Sequence, residues 1–206
     1  MNILHIISSP RKAASLSIQL GNGIIEKLQA AYPGSTVQVR DLATQPFPHL
    51  EEAKLQSFFT PAESRTPEQQ EAARHSDEAI AEIQAADIIV VGAPLYNFGI
   101  PSTLKAWVDH VVRAGITFRY VDNAPQGLIT GKKVYVALAS GGIYSAGPSA
   151  GYDFVAPYLT AVFGFIGMTD VTVVRVEGSA IPGVQDTALE KGLASVHVAE
   201  QETIAR

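Results

Sequence analysis

The fold of this chain is decided by the stretch Asp87-Ile88-Ile89-Val90-Val91-Gly92, which runs directly into Ala93-Pro94-Leu95-Tyr96-Asn97-Phe98-Gly99-Ile100-Pro101. The first part is a short apolar run, typical of a strand buried on both faces of a parallel sheet. The second part is a loop with two aromatic rings, an amide and two prolines, and the pattern after it predicts an amphipathic helix over residues 102–113. Open α/β sheets bind their ligands at the carboxyl ends of the strands. The stretch therefore predicts an α/β fold with a site for a flat ring system at this loop.

The composition is that of a globular protein and argues against several classes of partner. With 206 residues, the chain suits one domain spanning residues 1–206. A net charge of -5 argues against nucleic-acid binding, and the absence of cysteine removes disulfides and thiolate chemistry and fits a reducing cytoplasm. Residues 1–7 lack the features of a signal peptide, and no segment has the apolar length of a membrane span. We therefore expect a cytoplasmic protein without nucleic-acid or membrane partners.

Apolar runs of strand length alternate with segments of helical periodicity along the chain. Strands are predicted at residues 3–7, 36–40, 87–93, 133–140 and 171–176. Helices are predicted at about residues 17–32, 67–85, 102–113 and 153–165, and from about residue 185. Thr66 is the expected N-cap of the second helix, with Pro67 at its first position and Gln69 placed to close a capping box. Two segments are irregular excursions, residues 42–65 and residues 116–131. The first contains a short helical stretch around Phe58-Phe59.

Five strands with interleaved helices imply a doubly wound parallel sheet with helices on both faces and right-handed crossovers. The strand count favours the flavodoxin-like order 2-1-3-4-5. In that order the topological switch point lies between the first and third strands. The loops over residues 8–17 and 94–101 therefore meet at the predicted ligand crevice.

The loop after the first strand reads Ser8-Ser9-Pro10-Arg11-Lys12-Ala13-Ala14-Ser15-Leu16-Ser17. Its hydroxyls and free N–H groups converge on the start of a helix, whose dipole favours an anion such as a phosphate. The alternative is an ordinary capped helix with Ser15 or Ser17 as its N-cap. Neither the phosphate-binding P-loop pattern nor the dinucleotide fingerprint is present.

Two further segments are candidates for the site. Ser140-Gly141-Gly142 follows the fourth predicted strand, where glycines allow a ligand to approach the backbone closely, although a flexible turn would use the same residues. Phe118-Arg119-Tyr120 either roofs a pocket or anchors its excursion to the surface. Trp107 lies at helical spacing with Leu104 and Val111, so we expect it in the core or in an interface.

Metal and hydrolase chemistry are disfavoured. The five histidines are scattered without a metal-binding spacing, and His5, inside the first strand, is expected to be a satisfied interior residue. Gly147-Pro148-Ser149-Ala150-Gly151 matches G-x-S-x-G, and Asp170 or Asp186 followed by His197 completes a hydrolase order. However, Ser149 lies nine residues past Ser140, whereas that motif needs its serine at the turn between strand and helix. A receiver-type signalling domain would need acidic residues where Ser8-Ser9-Pro10 stands.

The whole chain resembles the FMN-dependent NADH:quinone oxidoreductase/azoreductase family of flavodoxin-like proteins. The resemblance is carried by five segments in register, namely Ser8-Ser9-Pro10-Arg11 with Ser15-Leu16-Ser17, Pro94-Leu95-Tyr96-Asn97-Phe98, Ala114-Gly115-Ile116-Thr117-Phe118-Arg119-Tyr120, Ser140-Gly141-Gly142 and Gly164-Phe165-Ile166-Gly167.

The resemblance implies a homodimer with FMN bound at its interface and NADH or NADPH as electron donor. By position, the FMN phosphate would be held by Ser9, Ser15, Leu16 and Ser17. The isoalloxazine ring would be supported by Pro94, Leu95, Tyr96, Asn97 and Phe98, and its pyrimidine side lined by Ser140, Gly141 and Gly142. The substrate would lie near Tyr120, with Phe59, Phe118 and Phe163 as walls. Some family members carry arginine where this chain has Ser140, which leaves the substrate preference open, as does the 42–65 stretch.

The implied reaction is a two-electron reduction of quinones, azo compounds or nitroaromatics, in which the nicotinamide donates hydride to flavin N5 and leaves before the acceptor enters. The cofactor carries the chemistry. We expect no catalytic acid or base from the chain, because the three loops contain neither cysteine nor histidine, and solvent delivers the protons. The rival hypothesis is a flavodoxin-like electron carrier that turns over no small substrate. The sequence selects neither the physiological acceptor nor NADH over NADPH.

Overall fold

Seven strands and six helices are present in the computed structural model, which describes residues 1–198. The strands are β1 (Asn2–Ile7), β2 (Thr36–Asp41), β3 (Ile88–Pro94), β4 (Phe118–Val121), β5 (Ala124–Gly127), β6 (Lys133–Ala139) and β7 (Asp170–Val176). The helices are α1 (Leu16–Ala31), α2 (Glu52–Phe59), α3 (Pro67–Ala85), α4 (Ser102–Val111), α5 (Ala156–Phe165) and α6 (Gln185–Ala194). None of the helices within residues 1–198 combines the length and the apolar character needed to cross a bilayer.

The main sheet is parallel and has five strands in the order β2-β1-β3-β6-β7. Counted along the chain without the β4–β5 pair, this order is 2-1-3-4-5, and the predicted flavodoxin-like fold is confirmed. Register brings the carboxyl ends of the central strands together, since Ile7 pairs with Gly92 and Pro94 with Ala139. The loops that follow β1, β3 and β6 therefore leave the sheet at one edge. The prediction of a single domain over residues 1–206 stays a prediction.

Apolar residues on the two faces of the sheet build two separate cores. Alternate residues of β3 face opposite sides, so Ile89 packs with α3, α4 and α5, and Val90 packs with α1 and α6. All seven residues of β3 are buried, as its continuous apolar run predicts. Trp107 of α4 is 1% exposed and belongs to the first core, in agreement with the expectation for it.

Side chains set the ends of the helices. The Thr66 hydroxyl accepts from the N–H of Gln69, and the Gln69 side chain accepts from the N–H of Thr66, which confirms the predicted capping box. Helix α4 ends at Val111, earlier than predicted, because the Thr117 hydroxyl accepts from the Arg113 N–H and donates to the Val111 carbonyl. Helix α5 begins at Ala156 rather than at 153.

The excursion over residues 116–131 contains an antiparallel hairpin that the sequence did not predict. Strands β4 and β5 pair from Phe118–Gly127 to Val121–Ala124. Asp122 and Asn123 form the turn with φ values of 50° and 63°, the left-handed conformation that two-residue hairpin turns require.

His5 differs in one respect from its prediction. It is buried, at 2% exposed, but its Nε2 has no hydrogen-bond partner within residues 1–198. The expectation of a satisfied histidine is therefore wrong at this atom. Burial lowers the pKa of His5 from 6.5 to about 4, although the nearby Asp41 carboxylate opposes the shift. The ring is neutral at physiological pH.

Candidate functional site

A cleft of about 370 Å³ opens at the carboxyl edge of the sheet, between the loops that follow β1, β3 and β6 and the segment after β7. The cleft is lined by Arg11, Ser15, Leu16, Ser17, Pro94, Leu95, Tyr96, Ala139, Ser140, Gly141 and Ser179. Among these lining residues, Arg11 is the one with a formal charge. The predicted switch-point crevice is thus a real cavity that brings the three predicted loops together.

The start of α1 is built to receive an anion. Ser15 is the N-cap of the helix, and its Oγ accepts from the N–H of Ile18 at 3.4 Å and lies 3.0 Å from the Ser17 Oγ. The N–H groups of Leu16 and Ser17 donate to no acceptor within residues 1–198, as is usual for the first turn of a helix. These free donors and the helix dipole favour negative charge. The interpretation of Ser15 as an N-cap is confirmed, and the phosphate site at the same helix start stays a prediction.

Buried serine hydroxyls fix this loop from behind. Ser8 donates to the carbonyl of Gly92 at 2.6 Å, which ties the end of β1 to β3. Ser9 is 2% exposed, accepts from the N–H of Arg11 at 3.3 Å, and has its Oγ 3.3 Å from the Tyr96 hydroxyl. Ser9 therefore does not line the cleft, but its hydroxyl contacts Arg11 and Tyr96, which do.

The loop after β3 contains a strained turn at the rim of the cleft. Tyr96 and Gly99 exchange backbone hydrogen bonds of 3.0 Å around Asn97 and Phe98, whose φ values are 49° and 70°. A left-handed phenylalanine is energetically unfavourable and persists where its surroundings hold it. Here the Phe98 carbonyl accepts from the N–H of Phe154. The N–H groups of Asn97 and Phe98 donate to no group in the described part of the chain, so both are free for a ligand.

The loop after β6 is cross-linked to the segment after β7 and is not a flexible turn. Ser140 Oγ donates to the Gly142 carbonyl at 2.9 Å, and Ser179 Oγ donates to the Ser140 carbonyl at 3.0 Å. The N–H of Ala180 donates to the Gly141 carbonyl at 3.0 Å. These bonds hold the small residues Ser140 and Gly141 against the cleft.

An ion pair anchors the outer part of the same loop. Asp153 accepts from the N–H groups of Val155 and Ala156, at the start of α5, and from the Arg175 guanidinium at 2.6 Å. Burial by itself raises the pKa of the Asp153 carboxyl, but these hydrogen bonds outweigh it and the pKa is lowered. Glu177 accepts from the N–H of Tyr144 at 2.7 Å. The loop is thus tied to β7 by charged groups.

The chain does not bring the predicted substrate walls to its own cleft. Phe59, which is 76% exposed, and Phe118 line a separate groove of about 690 Å³. Tyr120 is 66% exposed, with its ring 5.9 Å from that of Phe118. Phe163 is fully buried in the first core, so its prediction as a pocket wall is corrected to a packing residue. Its helix turns this side chain toward the sheet.

The remaining predicted residues flank the cleft. Phe98 is 44% exposed, with its ring 5.1 Å from that of Tyr152. Asn97 lines a neighbouring groove at the start of α4, with Pro101 and Thr103. Gly142 lies against the Tyr144 ring, which would be 3.1 Å from an added Cβ.

Sequence reasoning missed three lining residues, Arg11, Ala139 and Ser179. Arg11 was visible in the first loop. Ser179 follows the fifth predicted strand, whose carboxyl end must share the edge of a parallel sheet with the other strands. That rule of topology would have found it.

The geometry also bears on the rejected alternatives. Ser149 precedes a 3-10 turn, and α5 begins only at Ala156, so the strand–serine–helix elbow of a hydrolase is not formed. No group of three or more His, Cys, Asp or Glu side chains within residues 1–198 is placed to hold a metal ion. The cleft instead fits a phosphate-bearing planar group, with free donors at the α1 end and a largely neutral slot between the other two loops.

Comparison with known proteins agrees with this assignment. A family model described as "Flavodoxin-like fold" matches residues 1–198. The FMN-dependent NADH:quinone oxidoreductase of Herminiimonas arsenicoxydans is 53% identical over 179 residues, or 87% of this chain and 88% of that protein. The protein of the same name from Mesorhizobium japonicum is 48% identical over 208 residues, covering 100% of this chain and 99% of its own length. The crystal structure of an FMN-dependent NADH-azoreductase from Bacillus anthracis in complex with FMN has a TM-score of 0.83 at 26% identity, covering 94% of this chain and 95% of that one.

Proposed function

Because the chain belongs to the family of flavodoxin-like proteins whose model spans residues 1–198, we propose that it is an FMN-dependent NADH:quinone oxidoreductase that also reduces azo compounds. The observation that carries this proposal is the cleft itself. Free N–H donors of Leu16 and Ser17 stand at one end, and Pro94, Leu95 and Tyr96 face Ser140 and Gly141 across the rest. A phosphate-bearing tricyclic ring system needs this combination of an anion site and a neutral slot.

Each loop has a distinct part in holding FMN. The hydroxyls of Ser15 and Ser17 and the N–H groups of Leu16 and Ser17 bind the phosphate, with Ser9 fixing the loop behind them. The isoalloxazine ring rests on the loop after β3, contributed by Pro94, Leu95, Tyr96, Asn97 and Phe98. Its pyrimidine side faces Ser140, Gly141 and Gly142.

The protein binds and orients its reactants and leaves the redox chemistry to the cofactor. Bound FMN would supply the two-electron redox chemistry between NADH and the acceptor, and the cleft loops would hold donor and acceptor beside it in turn. No histidine lies in the three cleft loops, so we assign the chain no general acid or base, and solvent supplies the protons. The free N–H groups of Asn97 and Phe98 orient the ring edge. NADPH is an alternative donor, and a cytoplasmic location stays a prediction.

A second subunit completes the pocket. The exposed side chains of Phe59 and Tyr120, together with Phe118, lie outside the cleft of their own chain. We assign these aromatic walls to the cleft of the partner in a homodimer with FMN at its interface. Flat acceptors of the quinone, azo and nitroaromatic classes then stack between the ring and the aromatic side chains.

Complementation between two defective subunits tests this arrangement. Ser17→Glu places a negative charge in the phosphate site, and Phe59→Ala removes a wall. If walls come from the partner, a mixed dimer pairs the intact cleft of the Phe59→Ala subunit with the intact wall of the Ser17→Glu subunit. Mixing the two impaired proteins then restores turnover of the azo compound. Mixing without recovery, in a sample shown to exchange subunits, would place the walls on the same chain.

Steady-state kinetics separate the enzyme from an electron carrier. Initial rates of NADH oxidation are measured at several concentrations of a soluble quinone. The proposal expects saturable turnover and parallel double-reciprocal lines, because donor and acceptor use one pocket in turn. A protein that binds FMN but transfers no electrons from NADH to the quinone would be a carrier, and the enzyme assignment would be wrong.

A further inference from the structure

Two buried arginines share one carboxylate, and none of the three residues lines the cleft. Arg65 Nη1 lies 2.7 Å from Asp77 Oδ2, and Arg113 Nη1 lies 2.5 Å from Asp77 Oδ1. The arginine side chains are only 4% and 1% exposed, whereas Asp77 is 46% exposed. Buried cations are costly unless paired, so these two depend on Asp77 for their place in the fold.

Arg65 connects Asp77 to the end of α2. Its Nε donates to the carbonyls of Ser57 and Thr60, both at 3.1 Å. Ser57 lies in the last turn of the helix and Thr60 is its C-cap, a position where backbone acceptors lack partners and a positive charge is favourable. Phe59 lies between them. Arg65 therefore holds the segment that carries this exposed aromatic ring.

Arg113 connects Asp77 to the base of the β4–β5 hairpin. Its carbonyl accepts from the N–H of Thr117 at 2.9 Å and from that of Phe118 at 3.4 Å. Its guanidinium carbon lies 4.6 Å from the centre of the Phe58 ring. Nε and Nη2 of Arg113 have no hydrogen-bond partner within residues 1–198. Its guanidinium is therefore hydrogen-bonded through Nη1 alone, which donates to Asp77 and to the Ser76 hydroxyl.

The two arginines thus reach opposite sides of the groove of about 690 Å³ that Phe58, Phe59, Val112 and Phe118 line. Asp77 does not line this groove and is joined to both sides through its two oxygens. On the basis of the proposed function, we propose that Asp77 is a positioning residue that fixes the spacing of Phe59 and Phe118 and thereby sets the size of the acceptor that binds. Nothing in the cleft for FMN contacts this network.

Acceptor size is the first measurement. Asp77→Ala and Asp77→Asn are compared with the parent using 1,4-benzoquinone, with one ring, and 4-hydroxyazobenzene, with two. Asp77→Ala is expected to raise the KM for the azo compound about tenfold, with kcat and the benzoquinone KM within about twofold. Asp77→Asn, whose single amide oxygen accepts from one arginine, is expected to give an intermediate value. Equal changes for both acceptors, or none, would overturn the assignment.

Hydrogen exchange of the flavin-free protein tests the positioning role independently of activity. Asp77→Ala is expected to speed amide exchange in residues 55–60 and 114–119 more than in residues 8–17 and 94–101. Exchange unchanged in either of the first two segments would show that Asp77 does not couple them. If the parent oxidises no NADH, the proposed function fails, and this measurement alone decides the positioning role.

A matched control lies on the same helix. Arg74 of α3 pairs with Glu71 and Glu78 at 3.1 Å, and its side chain is 45% exposed. Arg74→Gln removes surface ion pairs without touching Arg65 or Arg113. It is expected to leave both the acceptor preference and the exchange pattern unchanged, because exposed pairs contribute little. An Arg74→Gln effect equal to that of Asp77→Ala would count against the proposal.

Discussion

The hydroxyl of Tyr96 lies 3.3 Å from the Oγ of Ser9, and this contact joins the loop after β3 to the loop after β1. The two strands are neighbours, with Ile7 paired to Gly92, so their loops leave the sheet side by side. Ser9 also accepts from the N–H of Arg11. One hydroxyl pair therefore fixes the ring side of the cleft relative to its phosphate side.

Tyr96→Phe removes this link while keeping the ring. Because this bond of about 1 kcal/mol holds the two loops in the arrangement that receives FMN, its loss should lower FMN affinity by at most roughly fivefold. The measurement is the FMN dissociation constant from quenching of flavin fluorescence. Tyr158→Phe, on α5 outside the cleft, is the control and should leave it unchanged. An unaltered FMN affinity in Tyr96→Phe would show that the link has no part in binding.

Ser15→Ala and Thr66→Ala separate helix capping from cofactor binding. Both residues are N-caps whose side chains accept a backbone N–H, at the starts of α1 and α3. Each substitution should lower the free energy of unfolding of the flavin-free protein by about 1 kcal/mol, measured by urea denaturation. Only Ser15→Ala should also weaken FMN binding. Equal FMN affinity in the two variants would contradict the phosphate site at α1.

Gly127→Ala should disrupt the contact between the hairpin and the loop before β7. A Cβ at Gly127 would lie 2.1 Å from the backbone nitrogen of Gly167, and backbone cannot yield as a side chain does. We expect a loss of about 3 kcal/mol in the free energy of unfolding. Gly151→Ala is the control, since nothing lies within 4 Å of its added Cβ. Equal free energies of unfolding for the two variants in urea would mean that the hairpin moves to accommodate the added Cβ.

The buried His5 makes stability depend on pH. Its pKa is lowered from 6.5 to about 4 by burial, so within that window the unfolded chain binds a proton that the folded chain does not. The free energy of unfolding should therefore fall as the pH falls, by at most about 1.4 kcal/mol per pH unit. Burial lowers the pKa of His110 too, which adds a slope of the same sign.

The variant His5→Leu should reduce this slope between pH 6.5 and pH 4, leaving the parts due to His110 and, near pH 4, to Asp153, whose pKa the fold lowers. Urea denaturation at several pH values measures it, with the exposed His49→Leu as control. A slope in His5→Leu as steep as in the parent would show that His5 is not the group responsible.

Much of the fold could be predicted because its signals are local. The apolar run of β3 and the helical period of Leu20, Ile24 and Leu28 are visible in any short window, and the Thr66 cap needs only three neighbours. The β4–β5 hairpin was not predicted, because Pro125 argues against a strand and because the turn at Asp122-Asn123 lies in a polar excursion.

The parts of the site that follow from sheet topology could be predicted from the sequence. The parts that depend on contacts between residues far apart in the chain could not. Parallel strands must place their carboxyl ends at one edge, which brought Ser15, Tyr96 and Gly141 together. Phe163 was misplaced because its role was taken from the resemblance, whereas its side chain packs in the core of this chain. The groove of Phe59 and Phe118 depends on contacts of Asp77 with Arg65 and Arg113, which are far apart in sequence and carry no motif.

Binding of FMN and its reduction by NADH are both visible in the absorption spectrum of the purified protein. The protein is incubated with FMN, freed of excess flavin, and measured without oxygen before and after addition of NADH. We expect a two-banded flavin spectrum that stays with the protein and bleaches when NADH is added. A protein that remains colourless after incubation with FMN, or a bound flavin that NADH does not bleach, would contradict it.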